Sequence, residues 1–209
     1  MEIYSTEEQQ EEAIKKAIQE NWKVVVFGTI IGLGSVFGWR QYSAHQLEVR
    51  GEQSDAYDEI VQKIGQDGTD IAALANEYVS THDNKSYSVL LALHAAKDAV
   101  GNSNFDEAAK QLQFAADNAE DASIKAVSRV RLARVQIEQQ KYDDALKSLG
   151  NQFPESFTAQ VEELKGDVYV AQNNIDKART AYQAAADNDG LTNNNGLQYK
   201  LDNLAIATP

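Results

Sequence analysis

The chain has no cysteine, two prolines and only three histidines among its 209 residues. Without a thiol there is no disulfide, no thiolate metal site, no cysteine nucleophile and no cysteine for lipid attachment, and the redox compartment is left open. His45, His82 and His94 stand apart in the sequence, and only His82 has an acidic neighbour, Asp83. Such histidines read as solvated or packed side chains, not as ligands. Acid pairs such as Asp143-Asp144 and Glu162-Glu163 fall at predicted helix starts, where carboxylates complement the helix dipole. Asn84-Lys85-Ser86 fits a glycosylation acceptor, a match too short to carry a claim. The expectation is a protein that is not an enzyme, with no catalytic residue, metal or cofactor.

Basic residues are scarce: 19 Lys and Arg against 32 Asp and Glu give a formal net charge of −13. Over positions 46–209 the count is 15 against 26, a net of −11. A field of that sign repels nucleic acid and anionic lipid. The shortage of proline and the near absence of alternating apolar and polar residues predict an all-α fold.

Charge disappears entirely from one stretch. Trp22 to Trp39 reads WKVVVFGTIIGLGSVFGW, and from Val24 onward sixteen residues carry no formal charge. In a helix, at ~1.5 Å per residue, the whole segment spans ~27 Å, slightly less than the ~30 Å hydrocarbon core of a bilayer. Its Val, Ile, Leu and Phe residues together favour the membrane by about 3 to 5 kcal/mol. Trp22 and Trp39 fall at the two headgroup levels, where Lys23 and Arg40 can snorkel outward. The acidic lead-in (Glu2, Glu7, Glu8, Glu11, Glu12, Glu20) and the lack of an A-x-A-like site after Arg40 argue for an uncleaved anchor over 22–40 rather than a signal peptide.

The glycines of this stretch admit two other readings. Gly32-Leu33-Gly34-x-x-x-Gly38 has the look of a dinucleotide-binding turn, but that fold needs further β-branched strands alternating with helices. None follows, and Asp55, at the right distance for a ribose contact, directly adjoins the helical pattern AYDEIVQKI. Gly28-x-x-x-Gly32 and Gly34-x-x-x-Gly38 equally mark faces where a second membrane helix can pack closely, or reflect only the commonness of glycine in membrane helices.

Ahead of the anchor, residues 1–21 form a lead-in in which Ser5-x-x-Glu8 reads as a capping box and Ile14, Ala17, Ile18 and Trp22 share one helical face. A linker over 41–47 leads to a helical domain over 48–209. There Ala56, Ile60, Val61 and Ile64 share one face and Ile71, Leu74, Ala75, Tyr78 and Val79 another, across an Asp67-Gly68 turn. Phe105-Asp-Glu-Ala108, Tyr142-Asp-Asp-Ala145 and Ile175-Asp-Lys-Ala178 then recur at intervals of 37 and 33 residues. A period near 34 built of helix pairs is the mark of tetratricopeptide repeats.

The register agrees: twelve residues before each alanine stand Ala96, Ala133 and Gly166, and four after stand Leu112, Leu149 and Tyr182. Leu197, Leu201 and Leu204, after the loop Asn193 to Gly196, read as the capping helix of an α-solenoid. Such solenoids bind partners along a surface lined by the first helix of each pair. Lys97 and Arg134 fall on that surface, and with Arg129 and Arg131 nearby they make a candidate groove for a partner's carboxylates. The competing reading is a solvated face whose cations pair with neighbouring acids.

Met1-Glu2-Ile3-Tyr4, the acidic stretch ending Glu20-Asn21, Gly32-Leu33-Gly34, Gly38-Trp39-Arg40, Ala56-Tyr57 and Leu132-Ala133-Arg134-Val135-Gln136 together resemble the YfgM family, ancillary subunits of the bacterial Sec translocon. The resemblance is strongest over residues 1–57. It implies an inner-membrane protein with a cytoplasmic N-terminus and a periplasmic repeat domain. It further implies association with the SecYEG channel and with a membrane-anchored periplasmic chaperone related to peptidyl-prolyl isomerases, in the service of secreted proteins. Charge alone gives Lys15, Lys16 and Lys23 against Arg40 and Arg50, a slender bias toward that orientation. A membrane-tethered scaffold of another envelope complex fits the anchor and the repeats equally well, and self-association is open.

Overall fold

The structure is a computed structural model and describes residues 7–66, 68–192 and 194–206. Ser5 of the expected capping box, the Met1 to Tyr4 motif, Asp67 of the expected turn and Asn193 of the last loop lie outside the described residues. All regular elements among those described are helical. The chain divides into two compact units, Met1–Glu52 and Gln53–Pro209.

Helix α1 is assigned over Glu7–Lys63, with a break at Asn21 (φ −112°, ψ 17°). The Asn21 side-chain amide donates to the Ala17 carbonyl at 3.0 Å, the oxygen that the Asn21 backbone N–H would take in a regular helix. Two segments, Gln10–Val24 and Val26–Lys63, meet at 64° four residues further on. No single helix among the described residues is long and apolar enough to cross a membrane, whereas the bent pair satisfies length and composition jointly. The expected span over 22–40 is therefore seen in part, with a bend inside its first turn. Phe27, Ile30, Ile31, Leu33, Val36 and Phe37 are all exposed, so the segment is apolar all round rather than amphipathic.

In the second unit the helices stack in antiparallel pairs. Ile60, near the end of α1, shares a core with Ile71, Ala75 and Tyr78 of α2 (Ile71–Thr81) and with Leu91 and Ala95 of α3 (Lys85–Gly101). Val79, expected on the buried face of α2, is instead partly exposed, because it lies at the edge of the stripe that α3 covers. Gly65 (φ 81°) and Gly68 (φ 77°) make the turn between α1 and α2, a backbone region that costs most residues about 1 to 2 kcal/mol.

Helix α3 pairs with α4 (Phe105–Asn118), α5 (Ala122–Glu138) with α6 (Tyr142–Leu149), and α7 (Thr158–Ala171) with α8 (Ile175–Ala185). All three recurring motifs thus begin the second helix of a pair. Ala108, Ala145 and Ala178 are fully buried, and Ala96, Ala133, Leu112, Leu149 and Tyr182 nearly so. At Gly166 even one added carbon would run into the Tyr182 ring. The twelve-residue register therefore marks small residues buried within the helix pairs, with no spare room at Gly166.

The turns within the pairs repeat too. Ser103, Gln140 and Asn173 each take a left-handed conformation (φ 60°, 58° and 58°). The following residue in each turn donates back to Ala99, Gln136 and Tyr169 respectively, at 2.8 Å in all three. These closures satisfy the last carbonyls of the first helix and aim the second back along it. Asn104 and Asn174 then cap α4 and α8 through their side chains, whereas Lys141 gives α6 no such cap.

Helix α9 (Asn195–Ile206) closes the stack by burying Leu197 and Leu204 against Ala178, Tyr182 and Ala185. Lys200 holds it through Glu163 and Asp167, each at 2.7 Å, and the Tyr182 hydroxyl donates to Asp167 at 2.8 Å. Burial, the hydrogen bond to Asp167 and the neighbouring charges of Asp167 and Glu163 hold the Tyr182 phenol well above its ordinary 10.0. Burial would lower Lys200, but its bonds to Asp167 and Glu163 outweigh that and hold it above 10.5. Tyr78, which donates to the Gln53 carbonyl at 3.0 Å, is pushed up to about 12 by burial and by Tyr87.

Gly166→Ala is expected to destabilise the domain by about 1 to 3 kcal/mol through overpacking against Tyr182. Gln140→Gly is expected to stabilise it by about 1 kcal/mol by relieving the left-handed backbone. Denaturant melts of the two variants check the opposite signs. For a group whose pKa rises on folding, stability is complete below the unfolded value and is lost as pH climbs toward the folded one. Tyr78, Tyr182 and Lys200 all act in that direction. The melting temperature should hold near neutral pH and fall above pH ~10, less steeply in Tyr182→Phe.

Candidate protein-binding groove

Besides Leu91 and Ala95, which it shares with α2, helix α3 carries two further apolar stripes. One, with Val89, Ala92, Ala96 and Ala99, is buried in the cores shared with α4. The other, with Leu90, Leu93, His94, Lys97 and Val100 at helical spacing, lines a groove of about 560 Å³. Phe105 and Leu112 of α4 and Arg131, Arg134, Val135 and Glu138 of α5 complete its lining. Leu90, Leu93, His94 and Phe105 are half-buried, and Val100 is 42% exposed. The floor is apolar and its rim is charged.

Three of the four cations singled out from sequence meet in this groove. Lys97, Arg131 and Arg134 are exposed, and none makes a hydrogen bond or ion pair with a described residue. Elsewhere in the unit Lys63, Lys110, Lys141, Lys165, Arg179 and Lys200 each pair with a carboxylate. These three, like Lys85, Lys125 and Lys147, have no ion pair with an acid among the described residues, and they differ in sharing one apolar groove. Arg129 is absent from the lining. Two residues before Arg131, it is turned by about 200° around α5, where it donates to the Gln152 carbonyl at 3.2 Å in a separate depression with Asp117 and Asp144.

The apolar floor escaped the sequence reading. Leu90, Leu93 and Val100 follow the same helical period as the core residues of α3, so periodicity alone assigns them to the interior. The available signal was the width of the apolar surface on α3, broader than one neighbouring helix can cover.

In the first unit, an added carbon at Gly28, Gly32, Gly34 or Gly38 would meet nothing within 4 Å. At about 100° per residue, Gly28 and Gly32 share one face and Gly34 and Gly38 another. No group of three or more His, Asp or Glu side chains among the described residues is arranged to hold a metal. His82 stacks on Tyr78 at 4.4 Å between ring centroids and approaches Thr81 at 2.8 Å, while His45 lies 4.0 Å from Glu48.

Residues 15–206 match the Tetratricopeptide repeat-like domain family. A protein of Escherichia coli (strain K12) named Ancillary SecYEG translocon subunit is 33% identical over 99% of this chain and all of its own length. Proteins of the same name from Aggregatibacter actinomycetemcomitans and Haemophilus influenzae are 32% and 30% identical, each over 96% of this chain and 99% of their own. No solved structure matches the chain.

Proposed function

The chain belongs to the family of ancillary SecYEG translocon subunits with a tetratricopeptide repeat-like domain, and on that premise we propose that it is a membrane-anchored, non-enzymatic adaptor of the Sec translocon. The observation that carries this reading is the near full-length likeness to relatives named for that complex. Residues 22–40 would hold the chain in the bacterial inner membrane, with 1–21 on the cytoplasmic side, 41–47 as a linker and the repeat domain over 48–209 in the periplasm. The exposed, uncharged surface from Val26 to Trp39 supports the anchor. In this reading the non-helical Asn21 lies at the headgroup level beside Trp22, where water and lipid headgroups can satisfy exposed backbone groups.

Adaptor work needs a surface that holds another chain while the anchor holds the membrane. The groove between α3 and α5, with Lys97, Arg131 and Arg134 at its rim, supplies such a surface, and Arg129 on the far side of α5 would contribute to a different face. A membrane-anchored periplasmic chaperone related to peptidyl-prolyl isomerases is the expected second partner, and together they would assist secreted proteins as they emerge. Gly28, Gly32, Gly34 and Gly38, with open space beside them, offer the anchor two faces for lateral packing against another membrane helix.

Crosslinking in native membranes, followed by identification of the captured proteins, should recover SecYEG components and the chaperone. Recovery of neither would leave only a tether serving some other envelope complex. Protease added outside spheroplasts should digest the chain beyond residue ~45 and spare the N-terminal tail, as a single span with the N-terminus inside requires. A protected repeat domain would reverse the orientation.

A further inference from the structure

We infer that the α3–α5 groove is built for an acidic, apolar segment of a partner protein, whose carboxylates meet Lys97, Arg131 and Arg134 while its apolar side chains lie on Leu93 and Phe105. The inference rests on the adaptor reading and adds the chemistry of what is bound. Arg131 and Arg134 stand three residues apart on one helix, a spacing at which like charges repel. Lys97 lines the same groove, and none of the three forms an ion pair with an acid among the described residues. They concentrate positive charge at the rim of an apolar groove in a domain where acids outnumber bases 26 to 15 over positions 46–209, so a carboxylate-bearing segment finds its electrostatic complement in this groove.

The floor selects in a second way. Leu90, Leu93 and Phe105 are half-buried in a groove of about 560 Å³, room for a few side chains of a short segment rather than for a domain face. A purely polar acidic tail leaves that floor wet, and a basic or neutral apolar segment leaves the cations unmatched. Glu138 lines the groove four residues beyond Arg134 and is unpaired as well. It disfavours carboxylate at that end and gives the segment a preferred direction.

The test uses the full chain in detergent and three fluorescent peptides with the same leucine and phenylalanine positions, carrying Glu, Gln or Lys between them. The Glu peptide should bind about tenfold or more tighter than the Gln peptide, and its advantage should shrink as salt is raised. The Lys peptide should bind least. Lys97→Glu combined with Arg131→Glu and Arg134→Glu should invert the order in favour of the Lys peptide without lowering the melting temperature, because all three side chains are exposed and unpaired. The matching triple Gln variant should lose the preference altogether. Equal binding of the three peptides, or an acid preference that survives both triple variants, would overturn the inference even if translocon crosslinks are found. Loss of those crosslinks in the wild type, with the acid preference intact, would instead remove the adaptor reading and leave the groove's chemistry standing.

Discussion

The repeat domain depends on the small residues that paired helices bury together: Ala96 and Ala108 lie in one core with Leu112, Ala133 and Ala145 in another with Leu149, and Gly166 leaves room only for the Tyr182 ring. Interiors packed at this density do not deform smoothly, so position along one helix fixes position along the next. The left-handed turns at Ser103, Gln140 and Asn173 and their matching 2.8 Å closures add to the same constraint, since each sets the exit angle of a first helix.

From that packing follows the freedom of the other face. Helix α3 buries Leu91 and Ala95 with α2 and Val89, Ala92, Ala96 and Ala99 with α4, and the stripe from Leu90 to Val100 remains available in the groove with α5. The repeat spacing of 37 residues then sets Lys97 and Arg134 at equivalent places on neighbouring first helices. At the far end, α9 covers what would otherwise be an exposed apolar edge, and Lys200, Glu163, Asp167 and Tyr182 lock it in place with charge as well as burial.

The first unit distributes its apolar side chains differently. Its apolar residues surround the helix instead of lining one side, and its glycines have no neighbours. Such a surface is unfavourable in water and natural in hydrocarbon. Asn21 breaks the ladder just before Trp22, since its short amide competes with the backbone for the Ala17 carbonyl.

The all-helical class, the starts of α4, α6 and α8, the small buried residues within the helix pairs and the cap were legible from residue order. Each depends on local periodicity or on small residues at a fixed interval, and both are written along the chain. The non-helical backbone at Asn21 was not, because an asparagine in a helix bonds to solvent or to the backbone according to its surroundings. Nor was the partial exposure of Val79, which depends on how far α3 reaches across α2. The apolar floor of the groove, the convergence of Lys97, Arg131 and Arg134 without acid partners, and the placement of Arg129 on the opposite face were likewise decided by tertiary structure. A one-dimensional pattern shows which residues share a helix face, but only the packed neighbours determine whether that face is filled, paired or left open.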